Sequence, residues 1–139
     1  MKQRRPRDYN PLDDARSTLR IILIEAGAPG MPSYEIASEL KRRQPEIISL
    51  LTSQLLTDWV RRQLNRMKDR DGLPLYQSVS RRYVQRAFWD VAAYREVIDR
   101  YVRGSKQNLT VARTLADEAS RVLGVLIAVP TIDAAGGAR

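Results

Sequence analysis

TSQLLTDWVRRQLNRMKDRDGLPLYQSVSRRYVQRAFW, residues 52–89, is the stretch whose reading decides the fold. Its first half carries apolar residues at helical spacing. With Gln54 at the origin and steps of about 100° per residue, Leu55, Leu56, Trp59, Val60, Leu64 and Met67 gather on one broad face. Gln54, Thr57, Asp58, Arg61, Arg62, Asn65 and Lys68 gather on the other. This predicts a helix from Thr52 or Ser53 to about Asp69, stopped by Asp71-Gly72, with Trp59 as ordinary core. After Gly72-Leu73-Pro74 the pattern changes. Leu75 to Val79 reads as a strand, Ser80-Arg81-Arg82 as a turn, and Tyr83 to Phe88 as a return strand. Tyr83, Val84, Ala87, Phe88, Val91, Tyr94, Ile98, Tyr101 and Val102 also fit one continuous helix from about Arg81. The hairpin is preferred because a single strand needs a partner, and because Asp90 suits a helix cap better than a helix interior.

Working outward, a first helix is expected from Pro11–Asp13, with Leu12, Ala15, Leu19, Ile22, Leu23 and Ala26 inward. Gly27, Pro29, Gly30 and Pro32 end it. Ser33 is expected to cap a second helix through Arg43, with Ile36, Ala37 and Leu40 buried, and Glu46 to Leu51 to form a short helical turn. Beyond the hairpin, Asp90 caps a fourth helix to about Val102 with Val91, Tyr94, Val97, Ile98 and Tyr101 as its stripe. A fifth helix runs from about Asn108 to Ala128 on Leu109, Ala112, Leu115, Ala119, Val122 and Leu126, weakened at Gly124. The expected organisation is a flexible basic arm over 1–10, a domain over 11–89, a helical extension over 90–128 and a disordered tail over 129–139.

With 139 residues, 43% of them apolar, the chain has one-domain length and enough material for a core. The net charge is +8. Residues 107–139 balance Arg113, Arg121 and Arg139 against Asp117, Glu118 and Asp133, so the whole excess lies in the first 106 residues. Lysine occurs only at positions 2, 41, 68 and 106, so the cations are mainly arginine, whose planar fork matches phosphates and guanine edges. The longest apolar run, Val122 to Val129, is too short to span a bilayer. The basic N-terminus lacks a signal peptide's apolar stretch, and there is no cysteine, which suits a cytoplasmic, nucleoid-associated protein.

An enzyme is not expected. Without histidine or cysteine the chain lacks the commonest general base, the commonest nitrogen ligand and any thiolate, so neither a metal nor a cofactor is anticipated. The acid pairs Asp13-Asp14, Asp69-Asp71 and Asp117-Glu118 are accounted for by capping or solvation, and the glycines form no phosphate loop.

The order of elements, carried by PSYEIASELKRR (32–43), TSQLLTDWVRRQLNRMKDRDGLPLY (52–76) and RRYVQRAFW (81–89), resembles the winged helix-turn-helix superfamily. The resemblance covers roughly Pro11 to Trp89. It implies a mostly α fold, three helices plus a β-hairpin wing, followed here by two C-terminal helices. The alternative is an all-α bundle with no wing. It also implies that the helix over 52–69 enters the major groove of double-stranded DNA, reading bases through Ser53, Gln54, Thr57, Arg61 and Asn65. Arg62 and Lys68 would lie towards phosphates, Arg81 and Arg82 at the wing tip, and Arg4, Arg5 and Arg7 of the arm along the backbone or in the minor groove. Two features depart from the pattern. The gap Gln44 to Leu51 exceeds the usual turn, and Asp58 puts a carboxylate on the reading face.

The function expected is sequence-specific duplex binding by a small dimeric transcription regulator of a prokaryote, phage or plasmid. The homodimer would be made by the C-terminal helices. One rival is a winged-helix protein-interaction subunit of a replication, segregation or defence complex. Another is non-specific RNA or nucleoid binding, with Tyr76 and Tyr83 as stacking platforms.

Overall fold

Three of the described helices start where a short polar side chain accepts a hydrogen bond from the first turn. In the computed structural model, which describes residues 11–49, 51–104 and 107–130, the first helix is α1, Pro11–Ala26, and the second α2, Ser33–Arg43. A 3-10 turn over Pro45–Ser49 leads to α3, Ser53–Arg66. Thr52 caps α3, its Oγ1 accepting from Leu55 N at 3.3 Å. Strands β1, Tyr76–Val79, and β2, Arg82–Gln85, follow, then α4, Val91–Arg103, and α5, Leu109–Leu123. Asp90 caps α4 through Ala93 N, and Asn108 caps α5 through Val111 N. Ser33 does not cap α2. It is the first helical residue, and Pro32 stands at the cap with φ −68°, its carbonyl accepting from Glu35 and Ile36. The basic arm lies outside the described residues, as does the tail from residue 131.

The strands pair antiparallel, with Ser78 opposite Tyr83 and Tyr76 opposite Gln85, so the reading of one helix from Arg81 and the wingless bundle are both overturned. The reversal is a two-residue turn at Ser80 and Arg81, both at positive φ (51° and 71°), the geometry that matches the twist of a tight hairpin. The turn is therefore one residue shorter than expected, and Arg82 belongs to β2.

Both faces of the hairpin are covered, and period-two alternation divides its side chains between two cores. Tyr76 and Tyr83 join the first, built from Leu19, Ile22 and Leu23 of α1, Ile36 and Leu40 of α2, Ile47, and Leu56, Trp59, Val60 and Leu64 of α3. Val84 joins the second, with Leu73, Trp89, Tyr94, Val97 and Ile98 of α4, and Ala112, Leu115 and Ala119 of α5. Trp89 fixes the start of α4, its Nε1 donating to Val84 O at 3.1 Å and its ring meeting Tyr94 edge-on at 5.2 Å. The hairpin is thus the wall between three early helices and two late ones.

A further pairing ties the wall down. Met31 and Tyr83 exchange both backbone bonds, at 3.1 and 2.9 Å. The chain reaches β2 this closely because Gly30 (φ +70°) has no Cβ: one placed there would lie 2.5 Å from Tyr83 O. Arg82 reinforces the clamp, donating to Pro29 O and Gly30 O at 3.0 and 3.4 Å.

Two expectations about the late helices need correction. α5 ends at Leu123, not near Ala128, because Gly124 takes the left-handed conformation (φ 69°) that terminates a helix. Val122 and Leu126, expected inward, are 62% and 88% exposed; the buried stripe is Ala112, Leu115, Ala116 and Ala119. No described helix is long and apolar enough to cross a membrane.

Candidate nucleic-acid interface

On α3 the buried arc is narrower than the sequence suggests. Leu56, Trp59, Val60, Gln63 and Leu64 are buried, while Leu55, expected inward, is 51% exposed. Gln63 takes its place in the covered arc because its Oε1 accepts from Arg16 Nε of α1 at 2.8 Å, which satisfies a polar group at the rim of the core. The remaining arc is open to solvent. At about 100° per residue, Arg61, Gln54, Asn65 and Asp58 fall within an arc of about 60°, with Arg62, Leu55 and Arg66 beside it. All but Asp58 are exposed, and Asp58 is half-buried. The chief neighbours of α3 are α2, β1 and α1, whereas α4 packs on β1 and α5, so the late helices leave this face uncovered.

The expected contact residues are not equivalent. Arg61 donates to Asp58 Oδ1 at 2.6 Å, one turn back along the helix. The carboxylate noted in the sequence therefore partly neutralises the row. Asn65 accepts from the Tyr83 hydroxyl at 3.2 Å, which ties α3 to β2. Gln54 and Arg62 are exposed, Thr57 is half-buried, and Ser53 is the first residue of α3. Lys68 follows the helix on an extended stretch bridged to Pro74. Arg62, Arg66, Lys68, Arg70 and Arg81 are exposed, and none forms an ion pair among the described residues. Arg66 and Arg70 were missed by sequence reasoning. The signal for them is the simple excess of cations over acids in residues 53–70.

The hairpin does not present two arginines at its tip. Arg81 sits there, but the Arg82 guanidinium is folded back onto the α1–α2 turn. The tip is also held from below by α4: both Glu96 carboxylate oxygens accept from Ser80 N, at 3.0 and 3.1 Å, and Arg100 donates to Ser78 O at 2.6 Å. Arg4, Arg5 and Arg7 fall outside the described residues. Tyr76 and Tyr83, 3% and 6% exposed, offer no face on which a base could stack.

Tyr83 is where these parts meet. Burial pushes its hydroxyl pKa above the ordinary 10, and the Asn65 bond and the charges of Arg61 and Arg100 pull against that shift. Cations of α3 and of α4 thus both act on one side chain of the hairpin. Below it, Arg86 joins the two cores. It donates to Asp69 Oδ2 at 2.6 Å and to Pro74 O at 2.7 Å, and pairs with Glu118 of α5 at 2.9 Å. Desolvation raises the Asp69 pKa, but the Arg86 bond and the backbone N–H groups of Leu73 and Asp71 outweigh it, leaving the carboxyl below its ordinary 3.8. Tyr94 donates to the same Glu118 at 2.6 Å, and burial together with that carboxylate pushes its phenol well up. On α2, Glu39 accepts from Arg42 and Arg43, which holds its carboxyl at about 2, and Arg43 also pairs with Glu25 of α1.

Chemically the surface offers a forked guanidinium, two carboxamides, a carboxylate and an exposed leucine along one helix, with unpaired cations at its C-terminal end. Comparison of the chain with protein-family models, with curated proteins and with solved structures returned no match.

Proposed function

We propose that residues 11–89 are a winged helix-turn-helix domain that binds double-stranded DNA with α3 in the major groove. The observation that carries this reading is the uncovered row Gln54, Arg61, Arg62 and Asn65 on a helix whose opposite side is fixed in the core. Guanidinium and carboxamide groups are those that fork to guanine and adenine edges, each good pair discriminating by about 1–3 kcal/mol. Leu55, exposed on the same helix, suits a thymine methyl group. Arg66, Lys68 and Arg70 at or just beyond the end of α3, and Arg81 on the hairpin, would serve as phosphate contacts, which set orientation and affinity without sequence information. In this reading the chain is a small transcription regulator. A two-fold pair would offer two copies of α3 to half-sites about 34 Å apart.

Binding measured across a salt series on random duplex, single-stranded DNA and RNA tests the reading. Affinity for duplex should fall with salt at a slope of about −0.9 per phosphate contacted. Lys68→Ala should reduce that slope by about one and weaken all duplexes alike, whereas Arg61→Ala should relax preference at one base pair. Equal effects from both variants would mean that α3 does not face the groove.

A further inference from the structure

After Gly124 the chain leaves α5 as an extended segment, Val125 to Pro130, whose exposure alternates strictly. Val125, Ile127 and Val129 pack inward on the second core, and Leu126 and Ala128 face out. That is the period of a β-strand, yet among the described residues no backbone N–H or C=O of this segment bonds to another backbone group. Among the described residues its backbone takes part in one hydrogen bond, Pro130 O accepting from Arg113 at 3.4 Å. A segment that alternates like a strand while its backbone groups pair with no other described backbone is a template for another strand. Leu126 is 88% exposed and is continued by Val122 (62%) and Leu123 (37%) at the end of α5. A groove of about 550 Å³ runs along the strand, between Leu126–Pro130 and α4.

We propose that this segment pairs antiparallel with the same segment of a second copy, forming a two-fold dimer across a shared two-stranded ribbon. Three observations select a second copy. An antiparallel pair of identical strands is self-complementary, so one surface serves both partners. Charge points the same way. The molecule carries +8 overall, yet residues 107–139 are neutral and the groove's rim balances Arg95 and Arg103 against Glu96 and Asp99. A rim without net charge, its Asp99 paired to Arg103 and its Glu96 to Arg100, lets two copies of a basic chain approach without the repulsion that the cationic face would bring. Last, Pro130 has no N–H to offer a ladder, which limits the pairing at that position to a short ribbon. The dimer so made uses the strand after α5, not the helices expected from the sequence, and it stands whether or not the chain binds DNA.

Sedimentation equilibrium of the full chain should give twice the 15.9 kDa chain mass at tens of micromolar. Leu126→Pro removes one ladder N–H and an outward side chain with no part in the core, so the fold persists, as circular dichroism checks. It should raise the dimer dissociation constant by 100-fold or more, and Leu126→Lys by 10-fold or more. Hydrogen exchange of the amides of 126–129 should slow as concentration rises across the dimer transition. A monomer at 100 µM, a dimer whose dissociation constant is unmoved by Leu126→Pro, or exchange at 126–129 that ignores concentration would each overturn the proposal. If Leu126→Pro fails to fold, Leu126→Lys and the exchange measurement on the unaltered chain decide.

Discussion

Alanine at Gly30 should cost far more stability than alanine at Gly72, although both glycines have positive φ, +70° and +81°. Forcing a side chain into the left-handed region costs about 1–2 kcal/mol at either position. At Gly72 nothing lies within 4 Å of the new methyl, so that cost is the whole effect. At Gly30 the methyl would lie 2.5 Å from Tyr83 O and 2.6 Å from Val84 Cγ2, and the first of these is backbone that cannot rotate away. Overpacking of this kind costs about 1–3 kcal/mol. The chain relieves it by parting from β2, which stretches the paired Met31–Tyr83 bonds, each with a net value of about 1 kcal/mol. Gly72→Ala should therefore lose about 1–2 kcal/mol and Gly30→Ala about 3–6, a large share of the 5–15 kcal/mol typical of a domain. Urea unfolding reads the difference as separated midpoints at equal slope. If the two variants unfold within about 1 kcal/mol of each other, the hairpin is not clamped to the α1–α2 turn as described, and the scale of overpacking costs used here does not apply.

Other changes probe the face and its supports. Asp58→Asn frees Arg61 and removes a carboxylate from the row, so affinity for random duplex should rise and its salt slope steepen by about one; weaker binding would place α3 away from DNA. Ser80→Asn with Arg81→Gly supplies the residues that a turn with two positive φ angles favours, and should stabilise the chain by about 1 kcal/mol while lowering duplex affinity through the lost cation. An unchanged urea midpoint would contradict the turn geometry. The folded pKa of Asp69 is depressed, so its stabilising effect is complete above the ordinary 3.8 and disappears as pH falls through the folded value. Asp69→Asn, which keeps the backbone acceptor for Leu73 and Asp71 but loses the Arg86 charge pair, should lower stability at pH 7 and flatten the acid limb below about pH 4. A limb of the same steepness in both proteins would remove Asp69 as its cause.

Much of the helical framework was legible because helix ends obey local chemistry. Thr52, Asp90 and Asn108 each cap as their side chains require, and α1 stops at Gly27. What was not legible came from tertiary placement. Nothing in Pro29-Gly30-Met31-Pro32 alternates like a strand, yet Met31 pairs with Tyr83 because the α1–α2 turn is set against β2. Leu55 reads as core by hydrophobicity but lies exposed at the edge of the buried arc, whereas the polar Gln63 is buried in it with Arg16 of α1 donating to its Oε1. Arg82 reads as a tip residue until the turn proves one residue shorter. The apolar run after Leu123 fits a helix by composition, while one glycine at φ 69° ends α5 before it. The row on α3 was readable from spacing alone, since a regular helix fixes which residues share a face.

The most direct test is selection of bound duplexes from a random pool, followed by the ratio of affinities for the selected and random sequences at physiological salt. A reading helix predicts a ratio of about 1,000 or more, abolished at individual base pairs by changes at Gln54, Arg61 or Asn65. A ratio near one, or no duplex binding at all, would contradict the assignment of α3 as a reader of DNA sequence.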